Sequence, residues 1–439
     1  MILTPKSMRL QIGLFGRTNV GKSSFLNMVA GQDVAVTSPI PGTTTDVVEK
    51  AMELLPVGPV MFLDTGGMDD DTRLAAERLA RTRRVFDRAE VFILLVEAGH
   101  WTDYESAIIA AARQRRCPCL IVVNKIDDRQ PEADFLQMLQ AASPFVCCVS
   151  SRPGSPRDRY VSAFKALLIQ ALPEGAMAQP PILGDLLPPG GLAVLIVPID
   201  PEAPKGRLIL PQVQTIRDAL DYEAATLVVN ERQYRGLLNR LSRPPDLVVC
   251  DSQVVMQMVV ETPAGIPCTT FSILFARLKG DLCAAARGAE AIDNLVDGDR
   301  VLVAEACTHH PVEDDIGRVK IPRWLRERTG CELQIDTYSG RDYPDNLEDY
   351  RLIVHCGACM LTRREMLARI QRASAAGVPI TNYGVCVSAL HQVLQRVLEP
   401  FPEAWQAYEN PTQPNTMTSI PSIQTATNRQ GGFSCSVQP

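Results

Sequence analysis

Short apolar runs alternate with amphipathic stretches along the first third of the chain. Leu10–Phe15, Val60–Asp64, Val91–Val96, Cys119–Asn124 and Phe145–Ser150 are too short for helices and too continuous for half-exposed strands, which predicts strands buried on both faces. Between them lie stretches such as Thr72–Ala89, where apolar residues recur every third or fourth position with charges between, the period of a helix packed along one side. Strand and helix in alternation over residues 9–165 predict parallel βαβ units with right-handed crossovers.

The alternation returns twice. Residues 174–191 are rich in Pro and Gly and read as a linker. A second α/β unit follows over 192–280, with strands expected at Ala193–Ile199, Thr226–Val229, Leu247–Cys250 and Val255–Val259. A third covers 281–405, with strands near Arg300–Glu305, Glu332–Thr337, Leu352–His355 and Pro379–Asn382. The expected fold class is therefore α/β: a parallel sheet with helices on both faces in residues 1–173, then two smaller α/β domains. Residues 411–439 are rich in Ser, Thr, Gln and Asn, carry Arg429 as their one charge, and are expected to be disordered.

Composition narrows the partners. The 439 residues are 46% hydrophobic and 21% charged, with a net charge of −6. That balance leaves no basic footprint for nucleic acid or for an anionic membrane surface, so neither is expected as a partner. The longest apolar runs, such as Leu192–Pro198, fall far short of the roughly 20 residues that span a bilayer. The first residues run into a strand without a signal-peptide pattern, and the expected location is cytoplasmic. Thirteen cysteines are then expected to be reduced, and Cys117, Cys119, Cys147 and Cys148 have the apolar settings of small core residues.

The first candidate chemistry follows the first strand. Gly16-Arg17-Thr18-Asn19-Val20-Gly21-Lys22-Ser23 fits a phosphate-binding loop, in which the glycines turn backbone amides toward phosphate, Lys22 reaches the outer oxygens and Ser23 offers a hydroxyl to magnesium. Ser24 continues the helix whose N-terminus favours an anion. Asp64-Thr65-Gly66-Gly67 follows a strand, where Asp64 can hold the magnesium shell and Gly67 can meet the γ-phosphate. Asn124-Lys125-Ile126-Asp127 ends another strand, and Asp127 can accept from both N1 and N2 of guanine, donors that adenine lacks. Pro41-Gly42-Thr43-Thr44-Thr45-Asp46 stands where a switch loop would. Four such motifs in order on strand ends predict GTP or GDP with Mg2+.

The second lies in the third unit. Cys307-Thr308-His309-His310 and His355-Cys356-Gly357-Ala358-Cys359 both close predicted strands, at the edge where open α/β sheets place ligands. Thr362-Arg363-Arg364-Glu365 then starts a helix whose N-terminus favours thiolates. Cys307, His309, Cys356 and Cys359 would suit tetrahedral zinc, and the three cysteines with a different fourth ligand would suit a 4Fe–4S cluster. Spacing alone leaves both open.

The nucleotide loops resemble those of the translation-factor-related GTPases of the Era and MnmE group. That resemblance implies Thr44 as the switch threonine on magnesium, Ser150 and Ser151 as the last base-contacting loop, and Asn19 as a holder of K+ beside the phosphates. Met68 stands where a water-positioning glutamine would help, so intrinsic hydrolysis is expected to be slow. Taken with C-T-H-H, D-D-I-G-R-V-K-I-P-R-W-L and H-C-G-A-C, the chain to about residue 405 resembles the HydF family of FeFe-hydrogenase maturation GTPases. The resemblance implies a 4Fe–4S cluster on Cys307, Cys356 and Cys359, with Asp314 favoured as fourth ligand over Glu313 or His309, and His355 supporting rather than ligating. Cys386 is assigned to packing.

The family's expected role is scaffold and carrier. The chain would hold a transient di-iron precursor made by two radical-SAM maturases, pass it to apo FeFe-hydrogenase, and form a homodimer or higher homo-oligomer. The contrasting reading is an RNA-related GTPase with a zinc-stabilised C-terminal domain. If Asn19 holds potassium, GTP turnover in potassium exceeds that in sodium, and equal rates in the two salts remove Asn19 from that role.

Overall fold

The computed structural model describes residues 5–31, 48–64, 85–172, 180–199, 208–306, 315–340 and 343–411. Most of the expected helix Thr72–Ala89, residues 174–179 of the expected linker and the tail from residue 412 lie outside them.

Three sheets follow one another. The first is six-stranded in the order β2-β3-β1-β4-β5-β6, formed by Leu10–Phe15 (β1), Val48–Leu54 (β2), Gly58–Asp64 (β3), Val91–Glu97 (β4), Cys119–Asn124 (β5) and Val146–Cys148 (β6). All pairs are parallel except β2 with β3. β2 was not among the strands expected from the sequence. Its sequence VEKAMEL is exposed or half-exposed at all but Leu54, and charges interrupt the apolar run that marks a buried strand. The second sheet has the order β10-β9-β7-β8, from Leu192–Ile196 (β7), Ala225–Val229 (β8), Leu247–Cys250 (β9) and Cys268–Thr270 (β10). The third has the order β12-β11-β13-β14, from Arg300–Ala304 (β11), Gln334–Tyr338 (β12), Leu352–His355 (β13) and Ile380–Asn382 (β14). Both are parallel throughout.

One expected strand is a helix. Val255–Val259 lies in the helix Val255–Glu261, where Val255 and Met258 are buried three residues apart while Met256 and Val260 face outward. A short apolar run does not distinguish the two periods. The strand that takes its place is β10, only three residues long and ended by Thr270, which caps the next helix by accepting from the Ile273 amide.

The nucleotide-binding sheet has a separate apolar layer on each face. The second and third sheets instead share a core that runs from Ile182 to Ala404. The helix Leu282–Glu290 packs closely on the third sheet: a β-carbon added at Gly288 would lie 2.1 Å from the Ile380 carbonyl oxygen on β14. Among the described residues no helix is long and apolar enough to cross a membrane. Gly288→Ala gains about 1 kcal/mol of helix propensity. The clash is with backbone, which no rotamer change relieves, and overpacking of this kind costs up to about 3 kcal/mol. We expect a net loss of about 2 kcal/mol, read as a lowered urea midpoint.

Candidate nucleotide and cluster sites

β1 lies between β3 and β4, so the chain reverses its direction of sheet growth at the carboxyl end of β1, the position where doubly wound sheets bind ligands. The loop from Gly16 to Gly21 leaves that end and enters the helix Lys22–Ala30, which has no side-chain cap at its N-terminus. Gly21 adopts φ +92, and a β-carbon there would lie 2.4 Å from Asn124 Nδ2. Asn19 also has positive φ. Val20 is buried, and the Lys22 ammonium donates to the carbonyls of Gly16 and Arg17, each at 2.7 Å. Ser23 and Ser24 are exposed on the first helical turn, and Asp64 ends β3 opposite Leu14. Thr44 and Gly67 lie outside the described residues.

The base side is organised by one fully buried amide. Asn124 Nδ2 donates to the Val20 carbonyl at 2.9 Å, while its Oδ1 accepts from the Ser151 amide at 3.2 Å and hydroxyl at 3.0 Å. It thus ties the phosphate loop to the last base loop. Asp127 is exposed, and Ser150 donates to its Oδ1 at 2.6 Å. That hydrogen bond, with help from Arg152, holds the carboxyl below its ordinary range and keeps it an acceptor. Ser150 therefore orients Asp127. Lys125, at positive φ, pairs with Glu97. Two groups not anticipated from the sequence also grip the loop: the Gly16 amide donates to the Tyr104 hydroxyl at 3.2 Å, and Arg17 pairs with the buried Glu105 at 2.9 Å. The capping-box spacing Thr102–Glu105 was the available signal.

β11 and β13 are neighbours, with Ala304 opposite His355, and their ends bring the cysteine segments together. Ala306, the last described residue before Cys307, donates its amide to Cys356 Sγ at 3.0 Å. Cys356 and Cys359 are half-buried in a loop ending at Thr362, which accepts from the Glu365 amide to cap the helix Arg363–Ala375. Ala358 within that loop is buried at φ +54. A shallow cleft opens beside it, lined by Cys356, Gly357, Lys279, Asp281, Thr381 and Asn382 among others.

His355 is fully buried and uses both ring nitrogens. Arg369 donates to Nε2 at 2.9 Å, and Nδ1 donates to the Cys356 carbonyl at 2.8 Å. Burial, reinforced by the Arg369 charge, pushes its pKa down to about 3. A neutral ring with both nitrogens engaged shapes the loop and leaves no nitrogen for a metal. Glu305 is likewise buried and accepts from Arg318 Nη2 and Ser339 Oγ, each at 2.9 Å. Cys386 is fully buried, its thiol pushed up to about 12 by desolvation.

Among the described residues no group of three or more potential ligands is placed to hold a metal, and Cys307, His309, Glu313 and Asp314 lie outside them. The described part of the expected donor set still fits a thiolate-held cluster. It has two sulfurs on one loop before a helix N-terminus, one of them receiving an N–H···S hydrogen bond, beside an open cleft.

Three family models match the chain. A 50S ribosome-binding GTPase matches residues 11–125, the Hydrogen maturase F dimerization domain matches 182–280, and the Hydrogen maturase F tetramerization domain matches 283–400. The tRNA modification GTPase MnmE of Synechococcus sp. (strain JA-3-3Ab) is 41% identical over 123 residues, covering 27% of this chain and 26% of the relative. MnmE of Roseiflexus castenholzii (strain DSM 13941 / HLO8) is 35% identical over 216 residues, covering 47% and 43%. The chain thus spans from about a quarter to under half of the length of these relatives. Among solved structures, Aquifex aeolicus Era bound to GDP.AlF4- is 25% identical over 38% of this chain and 57% of that one, with a TM-score of 0.31.

Asp127→Asn tests the base site. An amide replaces one carboxylate acceptor by a donor and mismatches guanine N1 and N2, so GTP affinity is expected to fall on the order of 100-fold. Xanthosine triphosphate, which carries a carbonyl in place of the 2-amino group, gains instead. Unchanged GTP affinity would take Asp127 out of base recognition.

Proposed function

The chain belongs to the HydF family, and from that premise we propose that it is a GTP-hydrolysing scaffold and carrier in FeFe-hydrogenase maturation. The observation that carries this reading is the order of domains, a GTPase domain followed by the two hydrogen maturase F domains on one chain. Cys356 beside the cleft, with Cys359 on the same loop, supports it.

At the nucleotide site, Gly16 to Ser24 cradle the phosphates, Lys22 meets charge developing on the outer phosphate oxygens, and Ser23, Thr44 and Asp64 serve Mg2+. Gly67 meets the γ-phosphate, Asn19 holds K+, and Asp127 reads guanine with Asn124, Lys125, Ser150 and Ser151 around it. With Met68 where a water-positioning glutamine would help, hydrolysis is slow and acts as a switch.

At the second centre, Cys307, Cys356 and Cys359 would hold a 4Fe–4S cluster, with Asp314 as fourth ligand. When bound, the cluster supplies the attachment point for the di-iron cargo. The chain's own residues shape that point. His355 and Glu305 fix the two strand ends, and the Ala306 amide tempers the Cys356 sulfur. Two radical-SAM maturases deliver the precursor and apo-hydrogenase receives it, in the cytoplasm.

A second copy fits the outer edge of the second sheet. β8 is an edge strand, and Val228 on it is exposed together with Val213, Leu220 and Tyr222 on the preceding helix and turn. An uncovered apolar edge of that kind favours pairing with a like edge.

Lys22→Ala and Cys356→Ser separate the two centres. Both are expected to abolish activation of apo-hydrogenase, while only Lys22→Ala abolishes GTP turnover. Anaerobic purification is expected to yield a brown protein with a reducible, EPR-active cluster. A colourless protein with stoichiometric zinc sinks the carrier reading and favours the RNA-related one.

A further inference from the structure

The short turn Lys6–Met8 precedes β1 and joins the GTPase domain to the cysteine loop. Ser7 is buried in it. Its hydroxyl donates to the Cys359 carbonyl at 2.9 Å, and its own carbonyl accepts from Lys279 Nζ at 3.1 Å. Lys279 is also buried, at the end of the helix Phe271–Lys279. The carbonyls of Arg277, Leu278 and Gly280 at that end accept from Arg363, the first residue of the helix that follows the cysteine loop. The loop is thus gripped from outside at its second thiol. It contains a residue that needs holding, because Ala358 sits at φ +54, a conformation its β-carbon disfavours.

The other side of the turn meets side chains of the GTPase domain at the amino end of β1 and on β2. Gln11 Nε2 donates to the carbonyls of Lys6 at 2.9 Å and Arg9 at 3.1 Å, bracketing Ser7. Gln11 Oε1 accepts from Arg88 Nη2 at 3.3 Å, and the same nitrogen donates to Glu49 Oε1 at 2.7 Å. Glu49 Oε2 receives Lys6 Nζ at 2.7 Å, closing a ring. Glu49 stands just after residues 32–47, which include Thr44, and Arg88 just after residues 65–84, which include Gly67. Both segments that would sense the γ-phosphate therefore re-enter the described fold on the ring that carries Ser7. The Lys6 arm is 63% exposed and weak. The Arg88–Glu49 arm, with side chains 4% and 13% exposed, carries the tie.

We propose that Ser7, backed by Lys279, is a positioning residue for Cys359, and that the Glu49–Arg88–Gln11 ring lets the bound nucleotide set that position. The proposal rests on the carrier reading for the meaning of Cys359 and adds how the nucleotide reaches it. A shift of the ring withdraws the Ser7 hydroxyl, and the loop relaxes at Ala358, giving two discrete arrangements.

Thiol reactivity reads this without any cluster. The reduced, metal-free full-length protein is treated with iodoacetamide, and modification of Cys359 is followed by peptide mass spectrometry with GDP and with a non-hydrolysable GTP analogue. The two rates are expected to differ about fivefold or more, the lower end of typical couplings between sites. Ser7→Ala removes the difference while GTP turnover stays unchanged, Ser7→Thr restores it by keeping the hydroxyl, and Lys279→Met narrows it. Equal rates with the two nucleotides in the unmodified protein, or a difference that survives in Ser7→Ala, overturn the proposal whether or not the protein takes up iron. Iron and zinc content, scored separately, decide the carrier reading.

Discussion

The parallel hydrogen-bond ladders of three sheets set the terms for everything else in this chain. In a parallel sheet, all strands end on one side, so the loops that follow them gather at that edge whatever their sequence. The pairing of Leu14 with Asp64, Glu97 with Asn124 and Ala304 with His355 fixes which residues stand at those ends. Backbone pairing thus delivers the phosphate loop, the candidate magnesium acid and the guanine motif to one edge, and the two cysteine segments to another. Side chains then refine what the ladder has already brought within a few ångströms.

The refinement is done by buried polar groups, which are costly unless satisfied. Asn124, His355 and Glu305 are each nearly or fully inaccessible, and each has its partners. Losing one partner of such a group costs more than the bond itself stabilises, because the other partner remains buried and unpaired, on the order of 1–3 kcal/mol. This asymmetry explains why loops with few apolar contacts hold a defined shape. It also gives His355 its role: the ring positions the Cys356 carbonyl, and its own nitrogens are spent in doing so.

What the sequence could convey depends on how local the cause is. Gly16–Ser23 was legible because its conformation is written into neighbouring residues, with Gly21 at φ +92 facing Asn124. The buried strands were legible because burial on both faces leaves an unbroken apolar run. β2 was not, since its pairing with β3 is hidden behind charges, and Val255–Val259 read as strand because four apolar residues around Gln257 carry no clear period. The orienting role of Ser150 was hidden behind the base contact expected of it. Ser7 and Lys279 were beyond reach altogether: their contacts join positions 352 and 272 residues apart, and neither carries a motif. Ala358 gave no warning either, since a left-handed backbone is expected of glycine, and Gly357 stands beside it.

Those magnitudes bear on how a nucleotide could matter to a thiol so distant in sequence. Holding an alanine in the left-handed region costs about 1–2 kcal/mol. The hydrogen bond from the Ser7 hydroxyl to the Cys359 carbonyl returns about 1 kcal/mol. The grip on Cys359 and the strain it opposes are therefore nearly balanced. Near balance is the condition for a switch, because couplings between sites are typically worth only about 1–3 kcal/mol. A firmly packed loop would ignore such a bias and a slack one would have no second position to adopt. On the proposed coupling, GTP hydrolysis supplies no work to the cysteine loop, only a preference between two of its arrangements.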